Sequence, residues 1–183
     1  MDQGLIPRRY AKALYEVGEE RHDNEKLYDA MQALAAAFTA QPALAPILAN
    51  PFVAGSDKAS LLVNAVYGAD TDGADATYVD FVSLLGRNKR FDIARAVALV
   101  YISLYRTKHS IYRVAVVSAA PLGDAEKKRL EAVIAAHIGH GTMEYEYSVD
   151  PSLIGGFTVT VNSERLDASV SNELKRLRLS LVN

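Results

Sequence analysis

The sequence predicts an α plus α+β protein, with a six-helix bundle over residues 1–106 followed by a small mixed α/β domain over residues 111–183. Two observations predict this division. Apolar residues recur with the 3.6-residue period of a helix as far as Leu104, whereas from Ile111 apolar and polar residues alternate with the period of two that is typical of strands. The stretch between the two patterns, residues 107–110, is the predicted domain boundary.

The first part of the chain contains four predicted helical segments. Apolar side chains between residues 6 and 21 occupy offsets of 0, 4, 7, 8 and 11, which place them on one helical face, and residues 24–40 repeat these offsets. A short apolar segment follows over residues 43–49. Ser56, with the acidic residue after it, predicts the N-cap of a further helix that ends at Gly68.

Residues 69–75 alternate acidic residues before a glycine, as a calcium-binding loop does. The register is wrong for an EF-hand, because Gly68 and Val79 occupy positions that require acidic ligands. We therefore interpret the segment as a solvated loop. Two helices follow it, separated by a polar turn over residues 86–90. Their apolar stripes are Tyr78, Phe81, Val82 and Leu85 for the first, and Ile93, Val97, Val100, Tyr101 and Leu104 for the second.

The second domain is predicted to hold a small sheet that is polar on one side. Residues 112–117 form a short segment rich in β-branched side chains, as in a strand. Residues 123–138 have helical periodicity, with an apolar face of Leu130, Val133, Ile134 and Ile138. Residues 143–149 and 157–161 alternate apolar and polar side chains, so each predicts a strand with one buried face. A turn between these two strands is expected to tuck Leu153 and Ile154 inward.

A last helix is predicted over residues 168–181, with apolar residues on one face and basic residues in its final turns.

The composition argues against several classes of function. With 20 basic and 22 acidic residues the net charge is −2, which gives no general attraction for nucleic acid. A basic turn at Arg87, Lys89 and Arg90 could contact phosphate, but it lacks interleaved aromatic residues, so a solvated or partner-facing turn is the better interpretation. The absence of cysteine excludes disulfides and thiolate chemistry. We expect neither a signal peptide nor direct membrane insertion.

The sequence predicts no catalytic residues, no cofactor and no metal site. Neither of the two common glycine-rich phosphate loops occurs, and the Gly155-Gly156 pair is too short to surround a phosphate. His137 and His140, with Glu144 nearby, are the best metal ligands available, yet nothing completes a tetrahedral set. Histidines at the end of a helix are the simpler interpretation.

Three stretches resemble a known family. They are residues 8–15 (RRYAKALY), residues 84–91 (LLGRNKRF) and residues 149–174 (VDPSLIGGFTVTVNSERLDASVSNEL). On these stretches the chain resembles, over nearly its full length, the ATP synthase delta subunit, called OSCP in mitochondria. It departs from the family at residues 167–171, where Asp-Ala-Ser-Val-Ser replaces the common Asp-Gly-Ser followed by arginine.

The resemblance implies a non-catalytic stator subunit. In the family, the N-terminal bundle grips the N-terminal helices of the alpha subunits on the catalytic head, and the C-terminal domain binds the C-terminal ends of the peripheral-stalk b subunits. The complex then holds the chain at the cytoplasmic face of the bacterial membrane. The family's groove lies between the first and fifth helices, which implies alpha-subunit contacts from Tyr10, Ala13, Leu14, Phe81, Leu84 and Leu85.

Alternatives stay open at this point, both for the role of the groove residues and for the function of the chain. Most of the groove residues have the spacing of a plain core stripe, and only Leu84 lies off the stripe of its helix, as a partner contact would. The chain could also be a free-standing adaptor or regulatory module that binds another helical partner. An enzyme ranks third among the possible functions, because the sequence offers no catalytic motif.

The missing phosphate loops generate the first prediction. The isolated chain should neither bind ATP with micromolar affinity nor hydrolyse it, because no backbone cradle for the phosphates is present. Calorimetric titration with ATP is the measurement, and a micromolar heat of binding would contradict the interpretation.

Overall fold

The computed structural model describes residues 4–68, 74–162, 164–170 and 172. The chain divides into two compact units, Met1–Tyr105 and Arg106–Asn183. Among the described residues, the first unit is helical, and the second combines a helix with a four-stranded mixed sheet. The α+β class predicted from the change of period is thereby confirmed.

The helices of the first unit lie where the apolar periodicity predicts them. Their bounds are α1 Leu5–Arg21, α2 Asn24–Ala40, α3 Leu44–Ala49, α4 Gly55–Tyr67, α5 Ala76–Arg87 and α6 Ala94–Lys108, with a 3-10 turn at Phe91–Ile93 before α6. One predicted cap is wrong. Helix α4 begins at Gly55 after Ala54, and Ser56 instead donates from Oγ to Oδ1 of Asp57 over 3.2 Å.

Helices α2 and α5 bury the predicted faces. The predicted face of α1 is wrong. Of the five residues on that face only Leu14 is buried, and the face that packs inward includes Ala11 and Gly18. Gly18 lies against Asn24 and Leu27 of α2.

The core of the first unit combines aliphatic side chains with tyrosines whose hydroxyl groups have partners. Tyr78 Oη donates to the carbonyl of Leu62 over 2.9 Å, and Tyr101 Oη lies 2.9 Å from the side-chain amide of Asn24. Buried hydroxyl groups need such partners, because an unpaired one costs about 1–3 kcal/mol. The largest fully buried apolar side chains are Leu27, Met31, Leu34, Leu62, Tyr78, Val82, Leu85, Val97 and Tyr101.

The second unit is built around a mixed sheet with the strand order β2-β1-β3-β4. Strands β1 and β2 are parallel, and the other two pairs are antiparallel. The parallel pair needs a crossover, which α7 provides. The bounds are β1 Ile111–Ser118, α7 Asp124–Ile138, β2 Thr142–Val149, β3 Gly156–Val161 and β4 Glu164–Ser169.

The two faces of the sheet differ in polarity, as the alternation predicts. Val114, Val116 and Val159 form a buried cluster with Ile134 of α7. The opposite face carries polar side chains, among them Arg113, which makes an exposed ion pair with a glutamate on β2. An exposed pair of this kind contributes at most about 1 kcal/mol, so burial of the valine face holds the unit together.

The predicted start of the last helix is wrong. Ala168, the predicted first residue of the last helix, lies in β4, which the sequence interpretation did not include. Asp167 Oδ1 accepts from both the backbone N and the Oγ of Ser169, over 3.0 and 2.6 Å, where the strand ends. Residues 173–181 of the predicted helix, and residues 69–73 of the predicted loop, lie outside the described residues.

Gly156 has a structural role at the start of β3. Its φ of 77° lies in the left-handed region, and a Cβ there would stand 2.2 Å from the carbonyl oxygen of Ala168. Only glycine fits beside β4 at this point. Gly156 therefore serves the pairing of β3 with β4.

The buried tyrosines generate a prediction about alkaline pH. Burial raises the pKa of Tyr78 and Tyr101 above the ordinary value of about 10. Above pH 10 the unfolded chain loses protons that the folded chain keeps, so the free energy of unfolding falls as pH rises. Each residue should account for a loss on the order of 1 kcal/mol at pH 11.

Urea unfolding of the wild type and of Tyr101→Phe at pH 8 and pH 11 measures this loss. The variant should be less stable by about 1 kcal/mol at pH 8, because a hydrogen bond is removed, and should lose less stability between the two pH values. Equal losses in the two proteins would contradict the assignment of the buried hydroxyl group.

Candidate helix-binding site

Helices α1 and α5 pack against each other as an antiparallel pair that is linked at both ends. At one end Asn88 Nδ2, just after α5, donates to Tyr10 Oη over 2.8 Å. At the other end Arg21 Nη1 donates to Thr77 Oγ1 over 3.1 Å and to Asp80 Oδ2 over 2.9 Å. The beginning of α1 thus lies beside the end of α5, and the intervening turns of the two helices face each other.

The link at the Arg21 end continues into the turn between α1 and α2. Thr77 Oγ1 donates to Asp23 Oδ2 over 2.6 Å, and the Thr77 backbone N donates to Asp75 Oδ1, the N-cap of α5, over 2.7 Å. Thr77 is almost fully buried. A buried hydroxyl group with charged partners on two segments fixes the start of α5 against the end of α1.

The six residues that the family resemblance assigns to the groove differ in burial and fall into two sets. Leu14, Phe81 and Leu85 are buried within their own unit. They could therefore form only the floor of a groove between α1 and α5. Ala13 and Leu84 are exposed and Tyr10 is half-buried. Leu84 retains 43% of its surface, as its position off the apolar stripe predicts. Of these six residues, a partner could contact only the exposed or half-buried set directly.

A second apolar surface lies on the second unit and was missed by the sequence interpretation. A cleft of about 680 Å³ runs between α7, the segment after β1 and the turn before β3, and its walls include Leu122, Leu130 and Phe157. On this surface Val133 is 67% exposed and Ile154 is 70% exposed. Single exposed apolar residues are common, but two on the rim of one apolar cleft are typical of an interaction site.

Two expectations about this surface were wrong. Val133 was predicted on the core face of α7, but only Ile134 of that helix is buried. Ile154 was predicted to tuck inward. Instead it follows the 3-10 turn Pro151–Leu153 with a φ of 66°, and this left-handed backbone turns its side chain outward. A β-branched residue rarely adopts that conformation, and the sequence pattern carries no signal for it.

The described part of the chain shows no metal site and no membrane-spanning helix. No three histidine, aspartate or glutamate side chains are grouped there as a metal would require, and His137 and His140 are both exposed. Three basic residues are exposed, Arg87 at the end of α5 and Lys89 and Arg90 on the turn that follows. None of the described helices combines the length and apolar character needed to cross a membrane.

Comparison with known proteins places this two-unit architecture in a family. The sequence model of the family described as ATP synthase delta (OSCP) subunit matches residues 6–181. The chain therefore belongs to the ATP synthase delta (OSCP) subunit family.

Individual relatives match over the full length. The ATP synthase subunit delta of Bacteroides thetaiotaomicron is 35% identical over 184 residues, covering 100% of this chain and 97% of that protein. That of Prochlorococcus marinus strain MIT 9303 is 30% identical, covering 96% and 94%. A chain in the cryo-EM structure of the Toxoplasma gondii mitochondrial ATP synthase hexamer has a TM-score of 0.70 at 22% identity, with 99% of both chains covered, which shows a shared fold.

Burial on α5 generates a prediction about stability. Leu85→Ala should lower the free energy of unfolding by about 2–5 kcal/mol, because Leu85 is fully buried and its loss leaves a cavity. Leu84→Ala, one residue away, should change it by no more than about 0.5 kcal/mol. Denaturant unfolding measures both variants, and a large loss at Leu84 would place that residue in the core.

Proposed function

We propose that this chain is the non-catalytic stator subunit of an F-type ATP synthase. It links the alpha subunits of the catalytic head to the b subunits of the peripheral stalk, and so resists the torque of the rotor while ion translocation drives ATP synthesis. Family membership over residues 6–181 supports the role. The observation that carries it is the α1–α5 pair, which presents exposed apolar residues on a rigid frame.

The first unit, as the six-helix bundle over residues 1–106, is proposed to bind the N-terminal helix of an alpha subunit. An amphipathic helix buries its apolar face in a groove between two helices, where anchors at the spacing of i, i+3 and i+4 enter pockets. Tyr10, Ala13 and Leu84 supply the contact surface, over the floor of Leu14 and Phe81. The links at both ends of the pair keep the groove at a fixed width.

The charge at the ends of the groove supports one orientation of the docked helix. Arg8 and Arg9 at the start of α1 and Arg87 at the end of α5 are exposed at the same end of the antiparallel pair. A helix carries partial negative charge at its C-terminus, so its C-terminal end or its acidic residues are favoured there. The far end carries Asp80, which pairs with Arg21.

The second unit, residues 111–183, is proposed to bind the C-terminal ends of the b subunits. The apolar cleft beside α7 supports this assignment, since Val133 and Ile154 on its rim would be covered by a partner. With both units occupied, the complex would hold the chain at the cytoplasmic face of the bacterial membrane. The chain would reach that membrane only through its partners.

Leu84→Asp tests the groove. A carboxylate at the interface would be buried without a partner, so the affinity for the N-terminal peptide of the alpha subunit should fall by more than about 2 kcal/mol, or ~30-fold. The thermal midpoint should stay near that of the wild type, because Leu84 is exposed in the free chain. Calorimetric titration of the full chain with the peptide measures the affinity.

Leu99→Asp is the matched control, because Leu99 is 49% exposed on α6, outside the α1–α5 pair. This control should keep the wild-type affinity. Unchanged affinity in a folded Leu84→Asp variant would remove Leu84 from the site. Tyr10→Ala, which trims a candidate aromatic anchor, should cost more than about 1 kcal/mol of affinity. Tyr10→Phe should cost less, because it removes only the hydroxyl group that bonds to Asn88.

A further inference from the structure

A cleft separate from the α1–α5 groove lies in the first unit. It has a volume of about 700 Å³ and is enclosed by the end of α3, the start of α4 and the turn that follows α5. Its walls include the apolar side chains of Leu48, Val53 and Phe91, and none of the six groove residues lines it. Three charged residues also line it: Lys58, Lys89 and Asp92.

Lys58 is an unusual member of this lining. The residue retains only 8% of its surface, although lysine is rarely buried without a paired charge. Among the described residues its ammonium group has no ion pair and no side-chain hydrogen bond. The stem of Lys58 is covered while its ammonium group reaches the cleft, so an anion there would meet a positive charge that no protein group already neutralises.

The start of α4 adds a second source of positive potential to the same cleft. Gly55, the first residue of this 13-residue helix, lines the cleft with Lys58. The N-cap is Ala54, whose methyl group cannot accept a hydrogen bond from the first turn. The amides of that turn and the helix dipole favour an anion at this end of α4. Asp57, in the same turn, is exposed and does not line the cleft, and it offsets part of this potential.

The charges in the cleft select a monoanion. Two lysines and one aspartate leave a surplus of one positive charge, which a carboxylate balances, whereas a phosphate group with ≈ −1.5 to −2 charges would exceed it and approach Asp92. The apolar walls favour a carboxylate that has an apolar neighbour. Phe52, between the lining residues Pro51 and Val53, is 95% exposed and extends the apolar surface beyond the cleft.

From these observations we propose that the cleft between α3, α4 and the turn after α5 is a second binding site, for an acidic peptide segment. An aspartate or glutamate side chain of the segment pairs with Lys58 and the first turn of α4. An adjacent large apolar side chain packs against Leu48, Val53 and Phe91. This site is additional to the groove and does not depend on the proposed function of the chain.

A matched pair of probes tests the site on the full-length chain. The first is a capped tripeptide of leucine, aspartate and leucine, and the second replaces aspartate by asparagine, which removes one charge and keeps the shape. Titrations followed by the amide NMR signals of Gly55 and Ser56 should give at least about tenfold tighter binding for the aspartate peptide. Equal affinities, no binding of either peptide, or shifts confined to other residues would overturn the proposal.

Substitutions locate the charge that is responsible. Lys58→Met should abolish the preference for aspartate, Lys58→Arg should keep it, and Lys128→Met, at an exposed lysine of α7, should leave it unchanged. If Lys58→Met does not fold, Lys89→Met at an exposed position should reduce the preference, and an unchanged preference there would count against the site. Inorganic phosphate is the third probe, and tighter binding of phosphate at the same amides would overturn the assignment to a peptide.

Discussion

The antiparallel packing of α1 on α5 is the constraint on which the proposed mechanism depends. Hydrogen bonds at its two ends, from Asn88 to Tyr10 and from Arg21 to Thr77, set how the helices align. Leu85 is buried, while Leu84 stays at the surface, so neighbouring residues of α5 separate the core from the proposed contact surface. A stator must transmit force without changing shape, and the hydrogen bonds at both ends of the pair would hold the proposed groove in one shape.

The second unit follows a different plan and offers a different kind of surface. Its stability comes from one apolar face of the sheet, on which α7 places Ile134. Two large apolar side chains, Val133 and Ile154, remain outside this core and lie exposed on the rim of the cleft beside α7. The two units therefore bring separate apolar surfaces to one chain, as a protein that joins two partners requires.

The sequence predicted where the helices of the first unit lie, and for α2 and α5 it predicted the buried face, because large apolar residues mark it. It placed the buried face of α1 wrongly, because that face contains the small residues Ala11 and Gly18, which an apolar stripe does not reveal. It singled out Leu84 as exposed because that residue lies off the stripe of α5. It missed β4, because Glu164, Arg165 and Asp167 give the segment a polar composition and its strand form depends on pairing with β3. The exposure of Ile154 depends on a left-handed backbone that no local pattern encodes. Lys58 could not be found either, because its burial results from packing between distant segments.

The most direct test of the account mixes the full-length chain with a purified catalytic head that lacks its own subunit of this family. Size-exclusion chromatography with light-scattering detection measures the mass of the product. The account predicts a stable complex with one copy of the chain per head, because a stator link joins one head to one stalk. Separate elution of the two components, or several copies bound to one head, would contradict it and favour a free-standing adaptor.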